Sequence, residues 1–424
     1  LRQLAATWLA RRERLEISDP VRILVVTYNR TLRGYISELA SQQIVAQPNL
    51  ELTVSTFSRW ARTVLPNTRL VSEDARRVTL RSFSGPLPLP DDFLSDEVDY
   101  LLGRFPPANL AEYVSCERTG RGSMPRVDRQ LRRRILDDVV TPYGAWKESL
   151  GACDWNDLAT SVLASSSLPR YDVVIADEVQ DLSANQVRAL LHVAADPSSI
   201  TFVLDAAQRI YPRGFAWREV GLTIRPSDIH RLANNYRNTV EICRFASPLL
   251  NGLEIGDDGT LPDFNSCVRH GPKPLVLKGR YRGQAEYAMR YLGALDLTTQ
   301  SVAFLHPLGG GWFSTLRSCL SSHGFRFVEL TRQSDWPDGP ENIALSTMHS
   351  GKGLEFDHVI VLGLNSEVTR HGADLNDSGR DNYRRLLAMA ITRARSSVVV
   401  GYKPSEASQL VSYFEPGTYQ EVVV

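Results

Sequence analysis

Apolar and polar residues alternate along the chain in two rhythms. From Gln3 to Leu15 the apolar positions recur at a spacing near 3.6, which predicts a helix. Val21 to Tyr28 is a nearly unbroken apolar run, as expected of a parallel strand buried on both faces. A helix over 30–41 and a strand over 52–57 follow. Helices and strands that alternate this way predict an α/β domain built on a parallel sheet. Between 62 and 168 the rhythm changes: charged helical stretches surround a proline-rich break from Gly85 to Pro90. Strand patterns resume at 171–176 and 200–204, then at 273–278, 301–305, 325–330, 342–346, 357–363 and 397–402. The fold class read from this is α/β with two parallel-sheet domains. The first takes residues 1–61 and 169–228, a mostly helical insertion takes 62–168, and the second domain takes 229–424.

Composition adds bounds. The chain has 424 residues, 43% hydrophobic and 23% charged, the balance of an ordinary globular protein. No run of eighteen apolar residues occurs, so no membrane partner is expected. The formal net charge of +0 argues, on its face, against a nucleic-acid partner, since such domains are usually basic. The lysines are Lys147, Lys273, Lys278, Lys352 and Lys403, so the first 146 residues hold none. A phosphate loop that needs a lysine is therefore not encoded there. The five cysteines lie far apart without a Cys-x-x-Cys pair, which fits a reduced cytoplasmic compartment.

Five stretches carry candidate chemistry, and each also has a plainer reading. Asp177-Glu178-Val179-Gln180-Asp181 ends an apolar strand; paired carboxylates there can hold Mg²⁺ and activate water, or merely cap the next helix. Asp205-Ala-Ala-Gln208 follows the next strand, and Gln208 can bond a phosphate or sit in a polar turn. Asn235-Tyr236-Arg237 places a stacking ring beside a phosphate-pairing arginine, or starts a helix with a surface arginine. Thr347 to Phe356 contains Gly351-Lys352-Gly353, which is no Walker A site because Gly353 stands where Ser or Thr is needed. Arg393 and Arg395 close a helical segment, where they can complement its dipole. Arg384 and Arg385 at the start of that segment are expected to be solvated. The seven arginines between Arg118 and Arg134 suit DNA phosphates or a solvated helix equally. Trp155, with Asp154 and Asp157, reads as packing and capping.

The order and spacing of these blocks resemble the UvrD/Rep/PcrA-type superfamily 1 DNA helicases over nearly the whole chain. Val25–Asn29 and Thr53–Phe57 resemble that family's first DNA-contacting motifs. The resemblance implies two RecA-like domains that close on ATP and Mg²⁺ and move along single-stranded or partly duplex DNA, 3′ to 5′. It implies Asp177 as the Mg²⁺ ligand, Glu178 as catalytic base and Gln208 as the γ-phosphate sensor. Arg237 and Arg393 would be arginine fingers, and Tyr236, Gly353 and Glu355 would hold the nucleotide, with Tyr236 on adenine and Glu355 on ribose. Thr27, Tyr28, Thr56, Tyr211, Thr347 and His349 would line the strand path. The Walker A loop is missing, and the reading places it upstream of Leu1, so the chain as given should bind ATP poorly. The short span from Arg237 to Thr347 implies a reduced insertion in the second domain. Arg213 and Trp217 depart from the usual order after Tyr211. The rival reading is a helicase-like binding or scaffold protein without ATP turnover.

Overall fold

A computed structural model describes residues 2–27, 33, 49–85, 87–117, 126–204, 215–230, 235–253, 267–331, 341–369 and 378–424. The helix read over 30–41 and the residues Tyr28, Gln208, Tyr211 and Arg213 lie outside them.

Two parallel sheets organise the chain. The smaller has four strands in the order β2-β1-β3-β4: β1 Val21–Thr27, β2 Leu50–Thr56, β3 Val173–Ala176 and β4 Ile200–Phe202. The apolar run of β1 is explained by burial on both faces. Val21, Ile23 and Val25 pack with Ala5 of the helix Arg2–Arg14, whereas Leu24 and Val26 pack with Trp60, Leu158, Val187 and Leu190 on the other side. Between β2 and β3 lies a helical stretch with a core of its own, including Leu94, Val98, Tyr113, Ile135 and Tyr143.

The larger sheet has seven strands in the order β13-β7-β12-β11-β8-β10-β9. These are β7 Leu275–Lys278, β8 Val302–His306, β9 Val328–Glu329, β10 Ile343–Thr347, β11 Phe356–Val361, β12 Ala394–Tyr402 and β13 Gln420–Val423. The burial is again two-sided: Val359, Val361, Val398 and Val400 face one cluster, Ile360 and Val399 the other.

Several expectations are corrected. The strand read over 325–330 is only two residues long, Val328–Glu329. Asn235–Thr239 forms β5, paired in parallel with β6, Cys267–Arg269; the plainer reading of a helix start fails there. β13 was not anticipated, because Gln420–Val423 is short, mostly exposed and opens with two polar residues. Cys243 and Cys267 are joined by a disulfide that ties β6 to the helix Val240–Ala246, although the sequence spacing paired no cysteines. Arg384 is buried, not solvated: it donates to the carbonyls of Leu249 at 2.9 Å and Asn251 at 2.5 Å and lies over the Tyr413 ring.

Candidate functional site

The site forms where the C-terminal edge of the small sheet meets the chain around the starts of β11 and β12. On the first side, β3 ends at Ala176 and delivers Asp177, whose amide still bonds Val26 O at 2.8 Å. Asp177 Oδ1 accepts from the Glu178 amide at 2.9 Å. Glu178 sits in the left-handed region at φ 55, one of the few non-glycine residues there. Such a conformation costs about 1–3 kcal/mol and persists only where neighbours over-determine it. Three groups do so here: the Asp177 carboxylate, the Gln180 amide donating to the Glu178 carboxylate, and Lys352. Burial, then the adjacent Glu178 charge, pushes the Asp177 carboxyl up to about 6, against the pull of Lys352 and Arg393. A carboxylate in that state gains from a nearby cation.

On the second side, the turn after β10 is tightly closed. Thr347 Oγ1 accepts from the Ser350 amide at 3.1 Å, and the Gly351 amide donates to Thr347 O at 2.9 Å. Gly353 follows at φ 80, a conformation that favours glycine. The turn directs Lys352 across to the first side. Its ammonium, 2% exposed, lies 2.5 Å from Asp181 Oδ2 and 3.2 Å from Glu178 Oε2. Burial alone favours the neutral amine, but Asp181 and Glu178 hold the lysine charged and its pKa above the usual value.

Beside this contact, Glu355 pairs with two arginines, Arg237 from β5 and Arg395 at 2.9 Å from β12. Burial opposes the Glu355 charge, yet the two guanidiniums hold its pKa below the ordinary value. Arg237 Nε is buried without a hydrogen-bond partner among the described residues. Arg393 is buried, donates to Met389 O at 3.3 Å, and its charge reaches Asp177. Asn238 fastens the arrangement: its side-chain amide donates to Thr392 O at 2.8 Å and Ala394 O at 2.6 Å, so β5 and the start of β12 move as one.

The structure therefore brings Asp177, Glu178, Arg393, Arg237 and Glu355 to one junction. Tyr236 lies on the same strand as Arg237 and is 67% exposed. Thr347 and His349 share the Lys352 turn, His349 with an exposed side chain. Thr27 is fully buried, and Thr56 caps the helix Phe57–Val64, accepting from the Arg59 amide at 3.4 Å. Sequence reasoning did not assign Gln180, Asp181, Asn238, Lys352 or Arg395 to the site. The first two stood in the quoted acidic block, and Lys352 stood in the only Gly-Lys pair of the chain. Their partners could not be read from spacing.

The donors suit Mg²⁺ and phosphate. Mg²⁺ is commonly held by one or two carboxylates together with phosphate oxygens, and Asp177 supplies such an oxygen. The partnerless Arg237 Nε and the Arg393 guanidinium suit the phosphate. The described residues hold no group of three or more His, Cys, Asp or Glu side chains able to bind a metal by themselves. None of their helices is long and apolar enough to cross a membrane.

Residues 326–405, which contain the Lys352 turn, Glu355 and Arg393, match the UvrD-like helicase C-terminal domain. The chain is 36% identical over 64 residues to the ATP-dependent DNA helicase Rep of Buchnera aphidicola subsp. Schizaphis graminum, a stretch covering 15% of this chain and 10% of that protein. It is 27% identical over 74 residues to the Rep helicase of Escherichia coli K12, covering 18% and 11%. The matched stretches thus span about a tenth of either relative's length. Among solved structures, the C-terminal domain of a possible DNA helicase from a Lactobacillus superposes with a TM-score of 0.34 at 20% identity, over 44% of this chain and 98% of that one. Over its matched domain and these short stretches, the chain is similar to UvrD/Rep-type superfamily 1 helicases.

Proposed function

We propose that, within the complete protein, this chain supplies all but the phosphate loop of the ATP-hydrolysing core of a DNA translocase and helicase that tracks single-stranded DNA 3′ to 5′. One observation carries the reading: the carboxylates Asp177, Glu178 and Asp181 at the edge of the small sheet face Lys352 and Arg393, which come from the side of the larger sheet. Phosphoryl transfer depends mainly on positioning and charge, and this junction has both. The proposed division is residues 1–61 with 169–228, the helical insertion 62–168, and 229–424.

Asp177 would hold Mg²⁺, which when bound neutralises phosphate charge. Glu178 would accept a proton from the attacking water. Arg237 and Arg393 would bind the terminal phosphate, Glu355 the ribose and Tyr236 the adenine, with Gly353 shaping the loop. Gln208 would orient the water, and Thr347, His349, Tyr28 and Tyr211 would line the DNA path; Thr27 is fully buried and Thr56 is buried and spent on its helix cap, so these two act by shaping the edge and not by touching DNA. The decisive experiment uses the complete protein. Glu178→Gln is expected to abolish DNA-stimulated ATP hydrolysis while nucleotide binding survives; normal turnover would sink the assignment. Unwinding of a 3′-tailed but not a 5′-tailed duplex checks polarity.

A further inference from the structure

We propose that Lys352 is a positioning residue that transmits engagement of the Thr347–Lys352 turn by single-stranded DNA to the Glu178 carboxylate. The inference rests on the reading of Glu178 as catalytic base and adds the route by which DNA reaches it.

Glu178 is held in a left-handed backbone conformation, and of the three side chains that hold it only Lys352 comes from the larger sheet. Lys352 is also rigidly tied to the turn residues. Its amide donates to His349 O at 3.4 Å, the Gly351 amide bonds Thr347 O, and Thr347 Oγ1 caps Ser350. A displacement of Thr347 or His349 therefore shifts the backbone from which the ammonium reaches Glu178 and Asp181. Asp181 is the fulcrum: fully buried, it accepts from Lys352 and donates its own amide to Glu178 O at 2.9 Å. The lysine thus meets the base at its carboxylate, while its second anchor meets the base at its backbone. A misplacement of about 1 Å in such a group can cost about a hundredfold in rate.

The test compares the complete protein with its Lys352→Met and Lys352→Arg variants, assaying ATP turnover with and without oligo-dT. The readout is the ratio of the two rates. Loss of folded protein scales both rates equally and leaves the ratio unmoved, so a merely structural role would not register. In Lys352→Met the ratio is expected to fall by at least about tenfold through kcat, with ATP KM moving less than about threefold. Lys352→Arg, which keeps the charge, is expected to retain most of the ratio. If Lys352→Met does not fold, Asp181→Asn is read by the same ratio, with the same fall expected. An unchanged ratio in the variant that folds overturns the inference. A parallel Glu178→Gln assay separates the two failures. An inactive Glu178→Gln with an intact Lys352→Met ratio rejects only the lysine's role, whereas an active Glu178→Gln rejects the proposed base.

Discussion

Two of the chain's five lysines are buried between two carboxylates, with nearly identical geometry and different consequences. Lys147 lies 3.2 Å from Asp154 and 2.5 Å from Asp157. Lys352 lies 3.2 Å from Glu178 and 2.5 Å from Asp181. The first cluster closes within eleven residues of one helical stretch. Its acids have local work as well: Asp154 Oδ1 accepts from the amides of Asn156 at 2.8 Å and Asp157 at 3.1 Å. The second joins residues 171 apart and bridges two sheets. The same ion triad is scaffold when its members share one fold unit, and a working contact when they do not. Sequence separation and topology decide which.

The largest effect is expected where the triad lies inside one fold unit and cannot open to water by parting two sheets. Lys147→Met strands the buried Asp154 and the partly exposed Asp157 and should cost about 3 kcal/mol in a denaturant titration. The stimulation ratio of the folded fraction should not move. A Lys147 variant that folds normally but loses DNA stimulation would break the comparison.

A buried group without a counter-ion sharpens it. His306, at the end of β8, is 3% exposed, and burial depresses its pKa from 6.5 to about 4. Its Nδ1 accepts from the amides of Leu308 at 3.1 Å and Gly309 at 3.0 Å, which requires the neutral ring. On acidification the unfolded chain takes up the proton first. The stabilisation is therefore complete above about pH 6.5 and is lost as pH falls towards 4, a change of about 3 kcal/mol. Urea midpoints measured from pH 7 to 4 should show this slope, flattened in His306→Asn. An equal slope in that variant would assign the acid sensitivity elsewhere.

The smallest global effect is expected at the bridging triad. In Lys352→Met, loosening of the contact between the sheets lets water reach Glu178 and Asp181. Overall stability should then change by about 1 kcal/mol, the size of an ordinary substitution. Hydrogen exchange at residues 347–353 should accelerate. A loss as large as that of Lys147→Met would mean that both triads are scaffold.

The zero net charge, which first argued against nucleic acid, conceals this segregation: acids gather at the small sheet's edge and cations come from the larger sheet. Much of the fold was legible because it depends on local pattern. The run Val21–Thr27 could only be a strand covered on both faces, and a strand ending in Asp177-Glu178 had to deliver its acids to the sheet edge. Elsewhere the pattern was silent. Asn235-Tyr-Arg-Asn-Thr has no hydrophobic period and is a strand because Cys267–Arg269 pairs with it. Arg384 looked solvated because its sequence neighbours are charged and polar, Asp381 among them at 3.3 Å; the carbonyls that bury it belong to the distant Leu249 and Asn251.

The sequence by itself determined the parallel α/β units, the carboxylates at the end of β3, and the supply of arginines and one Gly-Lys turn, since hydrophobic period and residue chemistry are local properties. Only the tertiary structure decided that Arg237 is paired with Glu355, that Asn238 locks β5 to β12, and that Lys352 crosses to Glu178 and Asp181. Those are electrostatic contacts made at a few ångströms in space, and no spacing along the chain encodes them.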